Sequence, residues 1–311
     1  MERPPLTVAS GPLVVGVDET EHSRDAIALG VQLAPALPGD LMLVYVHTLQ
    51  ELDALMAGHD PEEVEQLVAE HAGTKQAEVS ALAAEMGISD VRLRRATSAA
   101  AGLHAQAVEG DAALVVIGPS SRSGLGRVLP GATAERLLSG SPVPVAVAPK
   151  GYASHEPGPD LIGVGFDDGE ESRQAVAWSA DLASRAGASL QLLAVHAPLP
   201  FGSAAVSGAY GTQTVNQVLT QELRSEAEKL VEALSLDVAV ESHLLKGDPA
   251  KMLVERSQEL GLLVLGSRGY GPLKSVLLGS VSSYVLRNAH CPVIVVPRGS
   301  GAEPSDPSAT R

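Results

Sequence analysis

Between residues 266 and 282 the chain reads Gly266-Ser-Arg268-Gly269-Tyr-Gly-Pro-Leu-Lys-Ser-Val-Leu-Leu-Gly279-Ser280-Val281-Ser282, two glycine turns with hydroxyl residues behind the second. Glycine lets the backbone approach a phosphate closely and take positive φ. A helix opening after Gly279 offers free N–H donors and the positive end of a dipole, which together favour an anion. Ser280 could cap that helix or contact a phosphate oxygen, and the two roles compete. Arg268, and Arg122 in the corresponding loop of the first half, could grip a phosphate bidentately or stand as ordinary surface charges. The same glycines also suit plain turns of an α/β fold, so the loop by itself leaves phosphate binding open. Two familiar phosphate motifs do not fit. A P-loop needs glycine directly before its Lys-Ser/Thr pair, and Leu273 precedes Lys274-Ser275. A dinucleotide fingerprint needs Gly-x-Gly-x-x-Gly directly after the first strand, where this half has Val164-Gly165-Phe166-Asp167.

The other chemically capable residues carry competing readings. Asp18 and Asp167 each precede a helix-forming run, so each could cap a helix or hold a ligand. His47 and His196 sit at strand ends without an acid–base partner nearby in sequence, which favours a structural role over catalysis. Cys291 reads as a small buried apolar residue. The glutamate-rich stretch 61–70 reads as a solvated helix face.

The elements that must position these residues come in two copies. Residues 13–47 align without a gap on 162–196, a shift of 149, and residues 114–149 on 262–297, a shift of 148. Asp18 falls on Asp167 and His47 on His196. Such agreement at both ends of each half points to an internal duplication. Each half alternates short Val/Leu/Ile runs with helical patterns. The expected strands are 13–17, 41–46, 114–117 and 143–147, then 162–166, 190–195, 238–245, 262–265 and 293–296. Apolar residues at helical spacing over 214–234 predict an amphipathic helix. The alternation implies right-handed crossovers and a doubly wound parallel sheet of about five strands per half. Ligands of such sheets bind beyond the carboxyl ends of the strands, where the candidate residues fall. The Gly/Pro-rich stretch 150–160 reads as the linker, and the small, polar stretch 299–311 as a disordered tail. The expected domains are 12–150 and 160–298. The apolar last strands, 143–147 and 293–296, would be an aggregation hazard if exposed, so the two copies are expected to pair them as an internal pseudo-dimer. Association of whole chains into a homodimer is left open.

Composition narrows the function. Lys and Arg total 22 against 37 Asp and Glu, a net charge of −15, and aromatic residues are 3%. A nucleic-acid binder needs a basic footprint or stacking aromatics, so nucleic acid is excluded as a partner. One cysteine excludes an internal disulfide and a multi-cysteine metal site. No apolar run approaches the roughly 18 residues of a spanning helix. The first residues lack a basic-then-apolar leader pattern, so the expectation is a soluble cytoplasmic protein without a membrane partner.

The spacing Gly266-x2-Gly269-x9-Gly279-Ser280, with Asp167, the Leu-Leu-Ala-Val-His196 strand end and Lys246-Gly247-Asp-Pro-Ala, resembles the universal stress protein family in its ATP-binding branch. The resemblance covers nearly the whole chain as two tandem domains. It implies, for each, a Rossmann-like five-stranded parallel sheet of order 3-2-1-4-5 with helices on both faces, and a nucleotide-responsive stress regulator. By this resemblance Asp167 would hold the adenine–ribose side and the backbone of Ala197 would read the adenine edge. Gly247 would leave space beside the ribose. Gly266, Arg268, Gly269, Gly279, Ser280, Val281 and Ser282 would surround the phosphates. The first half keeps Asp18, Thr48, Gly118, Arg122, Gly131 and Thr133, but has Ser121 for Gly269, Ala132 for Ser280 and Thr97 for Gly247. Ser120, Gly124 and Gly126 could help Arg122 and Thr133 rebuild an anion site there. Weaker ATP binding is therefore expected in domain 1. Mg²⁺ could accompany the triphosphate, although no dedicated carboxylate cluster is evident for it. A slow ATPase, a cyclic-AMP-binding protein and a nucleotide-free interaction module are the competing expectations.

Overall fold

The computed structural model describes the chain except residues 1–6, 57–59, 121–123, 155–157, 168, 197–217, 219–220, 223–224, 227–228, 231, 234–237, 268–278 and 298–311. The first half runs β1 (Leu13–Val17), α1 (His22–Leu33), β2 (Leu41–Thr48), α2 (Leu49–Met56), α3 (Pro61–Glu85), β3 (Asp90–Ala96), α4 (Ala99–Glu109), β4 (Leu114–Ile117), α5 (Ala132–Leu138) and β5 (Val145–Val147). The second half runs β6 (Leu161–Phe166), α6 (Glu170–Ala186), β7 (Ser189–His196), β8 (Val240–Lys246), α7 (Pro249–Arg256), β9 (Leu262–Gly266), α8 (Ser280–Asn288) and β10 (Val293–Val296). Of the helix expected over 214–234, residues 218, 221–222, 225–226, 229–230 and 232–233 are described and are helical. The rest of that segment, and the expected disordered tail, lie outside the described residues.

Among the described residues all ten strands join one sheet in the order β3-β2-β1-β4-β5-β10-β9-β6-β7-β8. Each half is parallel, and each reads 3-2-1-4-5 from its outer edge inward. The halves meet through antiparallel pairing of β5 with β10, in the register Val293↔Val147, Ile294↔Ala146 and Val295↔Val145. The two apolar last strands thus hide each other's edges.

Strands covered on both faces need apolar residues at every position. Leu13, Val15 and Val17 of β1 enter a core beneath α1, α3 and α6, while Val14 enters the opposite core with Leu103, Leu137, Leu253 and Val285. Both cores contain residues of the two halves, so the duplicated units share continuous layers.

Two expectations are corrected. The strand expected at 143–147 begins at Val145, because Pro144 has no N–H for the ladder; its carbonyl accepts from Val115 N–H at 3.0 Å instead. The stretch 150–160 is not a free linker throughout. Gly151 N–H and Ala153 N–H donate to the two carboxylate oxygens of Asp25 on α1, each at 2.9 Å, and the buried Tyr152 hydroxyl bonds Gln32.

Candidate functional site

Each half opens a cleft at the carboxyl ends of its strands. In the first half, the corner after β1, the end of β2 and the start of α5 enclose about 350 Å³. Of the expected residues, Asp18, Thr48, Gly118, Gly131, Ala132 and Thr133 line it. Arg122 lies outside the described residues. In the second half, a cleft of about 130 Å³ is lined by Asp167, Gly266, Gly279, Val281 and Ser282. Ala197, Arg268 and Gly269 lie outside the described residues, and Gly247 and Ser280 are not among the described lining residues.

The strand-to-helix corners are built alike. Asp18 Oδ1 accepts from Thr20 N–H at 2.9 Å, and Asp167 Oδ1 accepts from Gly169 N–H at 3.1 Å. A hydroxyl on the following helix, Ser23 or Ser172, receives the aspartate's own N–H at 2.7 and 3.4 Å. Neither aspartate is a helix cap; those positions belong to Glu21 and Gly169. Each carboxylate instead closes a turn that holds it at the cleft wall.

The glycines divide into two kinds. A Cβ on Gly118 would lie 2.5 Å from the His22 carbonyl oxygen, and one on Gly266 would lie 2.5 Å from the Glu171 carbonyl oxygen. Both are therefore required for the start of α1 or α6 to pack on the strand end, whatever the cleft holds. Gly247 has φ +148°, which favours glycine, and its N–H donates to the His196 carbonyl at 3.0 Å. Gly131 and Gly279 are different: they are N-caps with extended backbones and bring no side chain to the first turns of α5 and α8. Ser280 is the first residue of α8 and stands exposed, so it does not cap the helix. Ser282 is buried and donates to the Gly266 carbonyl at 3.4 Å, tying α8 to the end of β9.

The profile of the Universal stress protein family matches residues 10–149 and again residues 160–297. The chain belongs to the universal stress protein family. A universal stress protein of Mycobacterium tuberculosis is 35% identical over 195 residues, 60% of this chain and 63% of the relative, so that match spans less than two thirds of the relative's length. One of Mycolicibacterium smegmatis is 28% identical over 302 residues, covering 91% of this chain and 96% of the relative. The crystal structure of an Archaeoglobus fulgidus universal stress protein overlays with a TM-score of 0.62 at 18% identity, over 93% of this chain and 99% of that one. This last likeness establishes the shared Rossmann-like fold.

Within this universal stress protein, the domain 1 cleft contains a feature that the residue-by-residue reading missed. Thr48 N–H donates to Glu51 Oε2 at 3.2 Å, and Glu51 N–H donates to Thr48 Oγ1 at 3.3 Å. This is a capping box at the start of α2, and its spacing Thr48-x-x-Glu51 was available in the sequence. It places a second carboxylate on the wall of the cleft that Asp18 lines and occupies the Thr48 N–H. At the aligned positions the second half has Ala197 and Pro200, which cannot form that box.

His47 is buried on the side of the sheet facing α3, away from the cleft lining. Its ring packs edge-on against Tyr45 at 4.9 Å and His71 at 5.5 Å between centroids, and neither ring nitrogen has a hydrogen-bond partner among the described residues. Burial, then the His71 ring, lower its pKa. Cys291 is buried in the core, which raises its thiol pKa. Among the described residues no group of three His, Cys, Asp or Glu side chains could hold a metal ion, and no helix is long and apolar enough to cross a membrane.

Proposed function

We propose that this universal stress protein is a nucleotide-responsive stress regulator that binds ATP in its domain 2 cleft and, more weakly, in its domain 1 cleft. The observation that carries this reading is the start of α8, whose N-cap Gly279 brings no side chain to the helix end, where Gly279, Val281 and Ser282 line the same cleft as Gly266 and Asp167. Unpaired N–H groups at a helix start are anion donors, and Ser280 adds an exposed hydroxyl beside them. Arg268 and Gly269 complete the phosphate side in this reading, Asp167 and Ala197 take the ribose and adenine, and Gly247 shapes the turn beside them. Mg²⁺ enters with the triphosphate. The functional units are residues 12–150 and 160–298.

Two features support the weaker domain 1 site. Ala132 has no hydroxyl, and a hydrogen bond to a charged phosphate contributes about 1.5–3 kcal/mol, tenfold to over a hundredfold in affinity. Glu51 adds a negative charge and takes up the Thr48 N–H that would face a base. Nucleotide that orders the Gly279–Ser280 segment shifts the surface a partner meets.

The test is the nucleotide released by denaturing freshly purified protein, counted per chain and followed by calorimetric titration. One ATP per chain is expected from the domain 2 cleft. No nucleotide released and no heat on titration would overturn the reading. Cyclic AMP released in place of ATP would overturn the ligand and keep the cleft.

A further inference from the structure

Helix α8 begins at the domain 2 cleft and ends against the segment between β4 and α5, whose two ends line the domain 1 cleft. Gly279, Val281 and Ser282 at its start line the domain 2 cleft. At its other end the Asn288 carbonyl accepts from Arg127 Nη1 at 2.8 Å, and the Ala289 carbonyl accepts from Val128 N–H at 3.1 Å. Arg127 and Val128 belong to the segment between β4 and α5 that borders the domain 1 cleft. One residue further on, the Leu129 carbonyl accepts from Ser120 N–H at 2.8 Å, and Ser120 and Gly131 line that cleft. A further tie joins α8 to α5 itself, Arg287 to Glu135 at 3.1 Å.

These contacts are placed to transmit displacement. An α-helix of this length is a rod of about 13 Å whose hydrogen-bonded turns move together. Val285, Leu286 and Ala289 are fully buried in the same core as Val128 and Leu137, so the end of α8 cannot shift without its neighbours. The segment it holds is fixed on its far side as well: Gly126 N–H donates to the Lys150 carbonyl at 2.8 Å and Lys150 N–H to the Arg127 carbonyl at 3.0 Å.

We infer that α8 couples the two clefts, so that filling the domain 2 cleft sets the affinity of the domain 1 cleft, with Arg127 and Val128 as the positioning residues that receive the signal. The inference rests on the proposal that both clefts take nucleotide. A ligand that fixes the start of α8 also fixes Val128 and the Ser120–Leu129 bond, so the second ligand meets a site already ordered. The coupling is positive and, as linkage requires, reciprocal; roughly tenfold is the expected size.

The experiment titrates the full chain with ATP in three forms: wild type, Gly279→Ala with Ser280→Ala, and Arg127→Ala with Arg287→Ala. The first double variant removes the domain 2 ligand, and its domain 1 affinity falls about tenfold from wild type. The second leaves domain 2 affinity unchanged while domain 1 affinity drops towards the same level. Equal domain 1 affinity in all three forms overturns the coupling alone. Absence of ATP binding at both clefts of the wild type overturns the nucleotide reading and the coupling with it. Hydrogen exchange on the wild-type chain gives a readout independent of any variant: ATP filling domain 2 alone slows exchange at the Ser120 and Val128 amides, and unchanged exchange there overturns the inference.

Discussion

Thr48 and Glu51 close a reciprocal pair of hydrogen bonds on the wall of the domain 1 cleft, each residue's N–H donating to the other's side chain. The pair starts α2, and it also spends a backbone donor at the end of β2 and leaves a carboxylate facing a cleft proposed to hold an anion. Replacing Glu51 by Ala frees the Thr48 N–H and removes the charge. Domain 1 should then bind ATP roughly fivefold more tightly, the effect of relieving about 1 kcal/mol of repulsion in a half-open site. Calorimetry on a chain whose domain 2 cleft carries Gly279→Ala and Ser280→Ala isolates the effect. Weaker binding in that background would show that Glu51 helps rather than hinders the ligand.

The two kinds of glycine separate by substitution. Gly266→Ala forces a Cβ to within 2.5 Å of the Glu171 carbonyl oxygen, and Gly118→Ala does the same against His22. Each should lower stability by about 1–3 kcal/mol, the usual cost of overpacking, with or without nucleotide present. Gly279→Ala should cost under about 1 kcal/mol, since φ −63° and ψ 159° suit any residue, while ATP binding weakens. Chemical denaturation of the apo chain compares them. Equal destabilisation at 266 and 279 would contradict the division.

Stability should fall on mild acidification because of His47. Its pKa is lowered in the folded chain, by burial first and then by the neighbouring His71 ring, with Arg95 and Lys75 adding to the shift and Glu51 opposing it. The folded state therefore prefers the neutral ring. The stability this gives is fully present above the unfolded value of about 6.5 and is lost as pH falls below it through the folded pKa. The urea midpoint should drop between pH 7 and pH 5, and His47→Phe should flatten that slope. An unchanged slope in the variant would assign the acid sensitivity elsewhere, with the partly buried His290 the next group to substitute.

Asp25 holds the start of the connection between the domains. Asp25→Ala removes the carboxylate that the part-buried Gly151 and Ala153 N–H groups donate to, and should destabilise the chain by about 1 kcal/mol, the net worth of such hydrogen bonds. Limited proteolysis should then cut within 150–160 faster than in the wild type. A cleavage rate unchanged from wild type would mean the tie contributes little to holding that stretch.

Strands buried on both faces were the most legible elements. The bounds of β1, β4 and β10 agree residue for residue with their Val/Leu/Ile runs, because every position there must be apolar. The edge strand β3, Asp-Val-Arg-Leu-Arg-Arg-Ala, carries charge on its exposed face and gave no comparable run. The start of β5 was lost to a proline, a backbone detail that hydropathy does not register. In domain 1, Asp18, Thr48, Gly118, Gly131, Ala132 and Thr133 fall together on one cleft because each follows a strand or opens a helix. The reason for Gly118 could not be read, since it depends on a carbonyl oxygen that only the packing of α1 brings near. The Asp25 tie was hidden for the same reason, its partners lying more than a hundred positions away in the chain.

The antiparallel seam of β5 and β10 joins two related domains edge to edge inside a single polypeptide. Their ratio is fixed at one to one, and covalent connection gives each a standing excess of its partner at any protein concentration. A duplicated unit that had to find its twin by diffusion would keep both copies compatible with self-pairing. Here a change in one copy meets a partner that never exchanges. Ala132 opposite Ser280, and Glu51 opposite Pro200, are the kind of divergence such an arrangement permits: one copy keeps a task while the other is released to acquire a second.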